Sequence, residues 1–111
     1  MIELVIKNYL DGHLSVPSFL EFPENPPEKF VLFEKTSSGE NNLLPNSTFA
    51  FQSYGPSMYE AALLNDELKK AVKNMIELNE FSKIKLNSDY NFTDTERKLY
   101  RYQAVFDMNH Y

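Results

Sequence analysis

The sequence predicts an α+β fold, an antiparallel β-sheet of about four to five strands with two α-helices packed on one face. Two segments have the apolar spacing of amphipathic helices, others alternate or are dense in β-forming residues, and their order is helix, strands, helix, strands. The chain has 111 residues, the size of one domain, so we expect residues 1–111 to form a single domain.

The first helix is predicted over residues 2–11. It rests on the i, i+3, i+4, i+7 spacing of Ile2, Val5, Ile6 and Tyr9. Gly12 follows at the position of a helix C-terminal glycine. The prolines between residues 17 and 27 then restrict the short apolar segment at residues 19–22 to an edge strand at best.

The segment KFVLFEKT, residues 29–36, is predicted to be a strand covered on both faces, because its apolar residues occur at both parities. Residues 37–47 combine Gly, Asn, Ser and Pro, which predicts a loop before another strand at residues 48–54. Leu43 and Leu44 are unusual inside such a loop. They either fold back onto the core or dock onto a partner.

The turn after that strand is predicted to be structural rather than a ligand cradle. Ser57 and Glu60 have the spacing of a capping box, with Gly55 in the turn and Pro56 stiffening the approach. A phosphate loop needs several glycines with free amides and a terminal lysine beside a hydroxyl residue. The segment YGPSMYE lacks these features, so it predicts no nucleotide site.

The second helix is predicted to begin after Ser57 and to pack one stripe on the sheet. That stripe contains Met58, Ala61, Leu64, Leu68, Val72, Met75 and Ile76. Tyr59 and Leu63 lie four residues apart on the opposite side. They form either a partner contact or a solvated local pair.

The last third of the chain predicts two more antiparallel strands. Ile84 and Leu86 alternate with lysines, and a second alternating run covers residues 100–108. The polar segment between the two runs contains several Asp and Asn residues, but it lacks the central glycine and the terminal glutamate of a calcium loop. We therefore expect a solvated turn there.

The composition argues against several function classes. Cysteine is absent, which excludes disulfides, thiol nucleophiles and Cys-ligated metal sites. The formal charge of -5 argues against a protein that grips nucleic acid, because such grip comes from Lys and Arg on phosphates. His13 and His110 lie near opposite ends of the chain and outside any catalytic motif. We expect no enzyme, no cofactor and no metal.

The first residues also argue against a membrane protein. The segment MIELVIKNYLDG is too short and too charged to cross a bilayer, and it lacks the basic start of a secretory signal. We therefore expect a cytoplasmic protein without membrane contact.

The second face of the sheet predicts self-association. Val31 and Phe33 lie in a strand with apolar residues on both faces, and the sequence offers no third long helix to cover them. A neighbouring subunit is the simplest cover. We therefore predict a homo-oligomer with Val31 and Phe33 in the contact.

Three segments together resemble a known family. NPPEKFVLFEKT, FAFQSYGPSMYEAALLNDELKKAV and IKLNSDYNFTDTERKLYRYQAVFDMNHY resemble the tail terminators, or tail-to-head joining proteins, which are small neck proteins of long-tailed bacteriophages and prophages. The resemblance covers most of the chain and concerns its overall pattern, since the family has no catalytic motif to match.

The resemblance implies a non-enzymatic ring, typically a hexamer, in the neck of a virion assembled in the host cytoplasm. Such a ring caps the tail tube protein, stops its polymerisation and meets the head connector or completion protein, while DNA passes through without specific binding. We assign Leu43, Leu44, Tyr59 and Leu63 to contacts with subunits or partners because we expect them to be exposed. The alternatives are a connector-stopper of the same neck and a small enzymatic or ligand-binding domain whose cavity would hold His110 with two carboxylates.

Overall fold

A computed structural model of the protein describes residues 1–41 and 44–111. The helices are α1 (Ile2–His13) and α2 (Met58–Asn74), and a short 3-10 turn, Met75–Glu77, extends the second of them. The strands are β1 (Ser18–Phe19), β2 (Phe30–Asn41), β3 (Leu44–Gly55), β4 (Phe81–Asn91) and β5 (Tyr100–His110).

The described strands form one sheet in the order β1-β2-β3-β5-β4. β1 pairs with β2 in parallel over two residues, and all the other pairings are antiparallel. Both helices contribute to one core with the sheet, so they lie on the same face. The predicted α+β class, with a largely antiparallel sheet and two helices on one face, is confirmed.

Alternate residues of the central strands build this core. Phe33 and Phe51 are paired across β2 and β3, with ring centroids 5.5 Å apart, and Phe106 of β5 meets Phe51 edge-on at 5.9 Å. These three rings are fully buried. The helices cover them with Ile6, Leu10, Leu64, Leu68, Val72 and Met75.

The turn into α2 is structural, and only half of the predicted capping box forms. Ser57 Oγ accepts a hydrogen bond from the Glu60 N–H at 3.2 Å. The Glu60 carboxylate instead pairs with Lys29 Nζ at 3.0 Å. A Cβ on Gly55 would lie 2.8 Å from the Ala61 backbone nitrogen, so the close approach of strand and helix requires glycine at this position.

Two helix predictions were wrong in detail. α1 continues through Gly12 to His13, where the His13 ring stacks on Tyr9 at 3.8 Å and bonds the Tyr9 carbonyl. Met58 and Ile76, predicted in the core stripe of the second helix, are exposed. Met58 is the first residue of the helix, where its sulfur accepts a hydrogen bond from Asn91 of β4, and Ile76 lies in the 3-10 turn after the helix.

The predicted loop at residues 37–47 is wrong over its described part. β2 and β3 continue through it as a hairpin, with Ser37 opposite Thr48 and Asn41 opposite Leu44. A one-residue irregularity at Thr36 separates this outer half from the body. Polar residues of low β propensity still pair here because pairing supplies partners for their backbone groups, and strand propensity depends strongly on context.

The expectation that Val31 and Phe33 need a partner is also wrong. Both side chains are fully buried beneath the chain's own helices. The strand is covered on both faces as predicted, because Phe30 on the opposite face stacks on Tyr54 at 4.5 Å and Phe22 packs edge-on against it. The proline-bounded segment before β2 thus covers part of the face opposite the helices. The prediction missed this cover because it considered only helices.

Candidate assembly surface

β2 has an open outer edge over most of its length. β1 occupies only the positions of Val31 and Leu32, and the Val31 N–H donates to the Pro17 carbonyl at 3.0 Å. Alternate residues of a strand direct their backbone groups to the same edge, so those of Phe33 and Lys35 also point outward. The Phe33 N–H completes the parallel ladder with Phe19, and no described strand pairs with residues 34–41 on this side. The edge therefore offers backbone donors and acceptors to another chain.

β1 is held to α1, which limits how much of this edge it closes. Ser18 Oγ donates to Asp11 Oδ1 at 2.6 Å, and Lys7 Nζ donates to the Ser18 carbonyl at 2.7 Å. Burial acts to raise the pKa of Asp11, but hydrogen bonds from Ser18 and Lys7 outweigh it, so the pKa lies below its usual value. Because Ser18 is held to α1 in this way, β1 pairs with β2 over only two residues.

The outer half of the β2–β3 hairpin is exposed along β2, while Asn46 and Ser47 of β3 still pair with β5. We call residues 36–41 and 44–47 the arm. Strands of 12 residues at about 3.3 Å each run about 40 Å, in keeping with a molecule that measures 43 × 25 × 24 Å. Residues 34–40 are exposed without interruption, on both faces of the strand. The β2 side of the arm therefore buries little within its own chain.

The second face, which we define as the sheet face opposite the helices, is polar along most of its length. Cross-strand hydrogen bonds join Thr48 to Asp107 at 2.8 Å and Gln52 to Gln103 at 2.8 Å. Asn87 adds a bond to the same Asp107 at 2.9 Å. This network stabilises the face without apolar cover, which removes the reason for expecting a subunit there.

The two edges of the second face carry opposite charges. Glu21 and Glu34 line a hollow of about 270 Å³ beside β2, and both are exposed. Lys83 and Lys85 are exposed on β4, opposite Asn109 and Asp107 of β5. These two lysines and two glutamates form no ion pair within residues 1–41 and 44–111. The sequence analysis missed this pattern, because only the strand order reveals that the two charges lie at opposite edges.

The predicted contact residues lie in several places. Tyr59 and Leu63 are 72% and 50% exposed on α2, as the helix periodicity predicted. Leu44 is half-buried at the base of the arm's turn, and Leu43 lies outside the described residues. The structure therefore does not gather Tyr59, Leu63 and Leu44 into one patch, since α2 covers the helix face of the body and Leu44 belongs to the arm.

His110 forms a buried pair with a serine that the sequence analysis did not connect to it. His110 Nε2 lies 2.9 Å from Ser47 Oγ, and both residues are almost fully buried. His110 Nδ1 is buried and has no hydrogen-bond partner among the described residues. An open cavity of about 510 Å³ beside it is also lined by Glu3, Lys35 and Glu80.

The pair meets only part of what nucleophilic catalysis requires. A serine and a histidine are within hydrogen-bonding distance, but no described carboxylate orients the free ring nitrogen. Ser47 is 3% exposed, so a substrate has no direct access to its hydroxyl. The pair is a buried side-chain hydrogen bond that joins β3 to β5.

α2 is joined to β4 by a second polar cluster. Asn65 Nδ2 donates to Asp89 Oδ1 at 2.7 Å, and Lys69 pairs with the other oxygen of the same carboxylate. The hydrogen bond to Asp89 raises the pKa of Lys69 above its usual value, against the opposing effect of burial. Asp89 is one of the acidic residues in the segment that was compared with a calcium loop, and it has a structural role instead.

No protein-family model matches the sequence, and no curated protein matches it. The resemblance to tail terminators stays a prediction. None of the described helices is long and apolar enough to cross a membrane. Within the described residues, no group of three His, Cys, Asp or Glu side chains is placed to hold a metal ion.

Proposed function

We propose that the protein is a non-enzymatic assembly protein, a tail terminator of a long-tailed bacteriophage or prophage. In this role, copies of the chain form a ring, typically a hexamer, on the end of the tail tube. The ring stops tube growth and provides the surface to which the head connector binds. The protein would act in the neck of the virion after assembly in the host cytoplasm.

The observation that carries the proposal is the arm with its open β2 edge. An unpaired edge is a template for another strand. Here residues 34–41 leave the edge open, and residues 34–40 are exposed on both faces. A chain that keeps such an element is better suited to binding protein surfaces than to enclosing a substrate.

The segments that resemble the family supply this same framework. NPPEKFVLFEKT enters β2, and FAFQSYGPSMYEAALLNDELKKAV forms most of β3 and α2. The third segment, from Ile84 onward, forms most of β4 and all of β5. The resemblance thus falls on both outer edges of the sheet and on the helix that supports them.

The surface charge agrees with DNA passing through a ring. The net charge is -5, and the second face carries amides, hydroxyls and charges of both signs. Tight binding of a phosphate backbone needs clustered Lys and Arg, which release counterions. A polar wall of this kind lets a duplex slide without being held.

Electron microscopy and a tube-growth assay test the proposal. The purified protein should form rings with an open centre, and light scattering should give a mass of several chains. Added to polymerising tail tube protein, it should shorten the tubes and be found at their ends. A protein that is monomeric at micromolar concentration and leaves tube length unchanged would contradict the proposal. Capture of the connector protein but not the tube protein would instead favour the connector-stopper role.

The Ser47–His110 pair favours one second candidate, a small hydrolase. The cavity at His110 also holds Glu3 and Glu80, which is the combination that this alternative needs. A fluorophosphonate probe, which reacts with activated serines, separates the two functions. The assembly protein should remain unlabelled. Stoichiometric labelling that disappears in Ser47→Ala, with the fold intact by circular dichroism, would favour the hydrolase.

A further inference from the structure

We propose that the open edge of β2 in one copy pairs with the outer edge of β4 in the next copy, with Glu34 diagonally across from Lys85. This inference rests on the proposed function, since it names the contact by which the ring closes. The partner of the open β2 edge is therefore a second copy of this chain, bound edge to edge.

The two edges match in length and in direction. The free part of β2 covers residues 34–41, and β4 runs over Phe81–Asn91 with its outer edge unpaired by any described strand. In the order β2-β3-β5-β4, all neighbours are antiparallel, so β2 and β4 run in opposite directions. Copies related by rotation about an axis along the strands therefore bring β2 and β4 together as an antiparallel pair.

The charges select this pairing over pairing of like edges. Glu34 and both lysines lie on the second face, with Glu34 at the β2 edge and Lys83 and Lys85 at the β4 edge. Three strand spacings, about 14 Å, separate the two edges within one chain, which is more than the Debye length of about 8 Å at physiological salt. Contact between copies therefore brings together charges that are too far apart to neutralise each other within one chain.

Pairing of β4 with β4 would instead bring lysines close to lysines. Pairing of β2 with β2 would bring the glutamates of two copies to one edge. Both arrangements are isologous and give closed dimers, whereas β2 with β4 is a heterologous contact and continues into a ring. Lysines on an edge strand disfavour pairing with an arbitrary strand, because their charges would lie close to the partner. A carboxylate on the partner strand offsets this electrostatic cost.

The pairing would make the second face continuous from copy to copy. The helices of each copy lie on the other face, so a closed sheet has a helical layer on one side and a polar wall on the other. The polar wall contains Gln52, Gln103 and Thr48. This places the surface suited to a sliding duplex on the side without helices.

Charge reversal tests the pairing. Glu34→Lys and Lys85→Glu should each weaken self-association by about tenfold, because each replaces an attraction with a repulsion. The double variant Glu34→Lys/Lys85→Glu restores opposite charges across every contact and should recover most of the loss. Glu24→Lys and Lys70→Glu are matched controls, since both residues are exposed and lie outside the two edges. Analytical ultracentrifugation measures the effect.

Cysteine cross-linking gives an independent answer, because the chain has no native cysteine. A mixture of Glu34→Cys and Lys85→Cys chains should give covalent dimers with a short bis-maleimide, and either variant alone should give few. Cross-linking of Glu34→Cys with itself would overturn the pairing in favour of an isologous dimer. If the wild type forms rings but none of the edge variants changes them, the pairing is wrong and the ring survives. A wild type that stays monomeric even with tail tube protein overturns both.

Discussion

The inner and outer halves of the β2–β3 hairpin are built from the same two strands but have opposite chemistry. In the inner half, Phe33 and Phe51 face each other and are fully buried. In the outer half, Ser38 faces Ser47 and Gly39 faces Asn46, and no helix covers the β2 side. The irregularity at Thr36 marks the boundary between the two.

The contrast separates stability from recognition. Burial of large apolar side chains stabilises the fold by roughly 1.5–3 kcal/mol each, so the inner half holds the domain together without a partner. The outer half adds backbone pairing but little apolar burial, so the folded chain gains little from it. Its retention as a long exposed arm is explained if it contacts another protein.

The largest effect is expected from Phe33→Ala in the inner half. The ring is fully buried between the helices and Phe51, so its loss should lower the free energy of unfolding by about 3–5 kcal/mol. Ser38→Ala in the arm is the matched control and should change it by less than about 0.5 kcal/mol. Urea unfolding at low protein concentration measures both. A Phe33→Ala chain that keeps wild-type stability but no longer associates would restore Phe33 as a contact residue.

Shortening the arm should have the opposite effects, with little change in stability and a large loss of association. Replacing residues 39–46 by an Asn-Gly turn keeps the Ser38–Ser47 pair and closes the hairpin with a favoured two-residue connection. The melting temperature should stay within a few degrees of the wild type, while self-association or tube capping should fall by at least about tenfold, since most of the exposed surface is gone. Loss of the cooperative melting transition would mean that the arm belongs to the folding unit.

Two glycines, Gly55 at the end of β3 and Gly12 inside α1, separate a close backbone approach from ordinary helix propensity. A methyl group on Gly55 would meet the Ala61 backbone, which cannot rotate away, so Gly55→Ala should destabilise the protein by about 1–3 kcal/mol. A methyl group on Gly12, inside α1, would have no neighbouring atom within 4 Å, so Gly12→Ala should stabilise by up to about 1 kcal/mol. Thermal unfolding distinguishes the signs. Equal changes in stability at both positions would show that the effect comes from the loss of backbone freedom rather than from the close contact between β3 and α2.

The sequence was a good guide to the body of the fold because the relevant signals are local. The helix periodicity, the Ser57 cap and the alternation of β5 depend on residues that are near in sequence, and all three correctly predicted their elements. The outer half of the hairpin was mistaken for a loop because its residues are typical of turns. Pairing with a neighbouring strand overrode that preference, and such long-range pairing leaves no local signal.

The candidate site was harder to predict because it depends on strand order. Glu34 and Lys85 are ordinary surface charges until the order β1-β2-β3-β5-β4 places them at opposite edges. The Ser47–His110 bond joins residues 63 positions apart in the chain. Val31 and Phe33 were wrongly assigned to a contact because the sequence does not show which alternate residues of β2 face the helices, and both lie buried on the helix side.

The smallest expected effect concerns the ion pair between Lys69 of α2 and Asp89 of β4. Its contribution to stability is lost at high pH. The folded-state pKa of Lys69 is raised by Asp89 above its usual value of 10.5. The stabilisation is therefore fully present below pH 10.5 and is lost as the pH rises through the higher folded-state value. Asp89→Asn keeps an oxygen for Asn65 but removes the charge, so it should cost about 1 kcal/mol near pH 8.

The difference between wild type and Asp89→Asn should shrink toward zero above the folded-state pKa of Lys69, because a neutral amine gains nothing from the carboxylate. Tyr9, whose pKa is raised by burial and by Glu77, also lowers stability at high pH, but it does so equally in both proteins and cancels from the difference. Asp66→Asn is the control, since its exposed carboxylate lies 3.5 Å from Lys69 and should have almost no effect. A difference that stays constant from pH 8 to pH 12 would mean that Asp89 stabilises the helix through Asn65 alone, and that the body, like the arm, gains little from its surface charges.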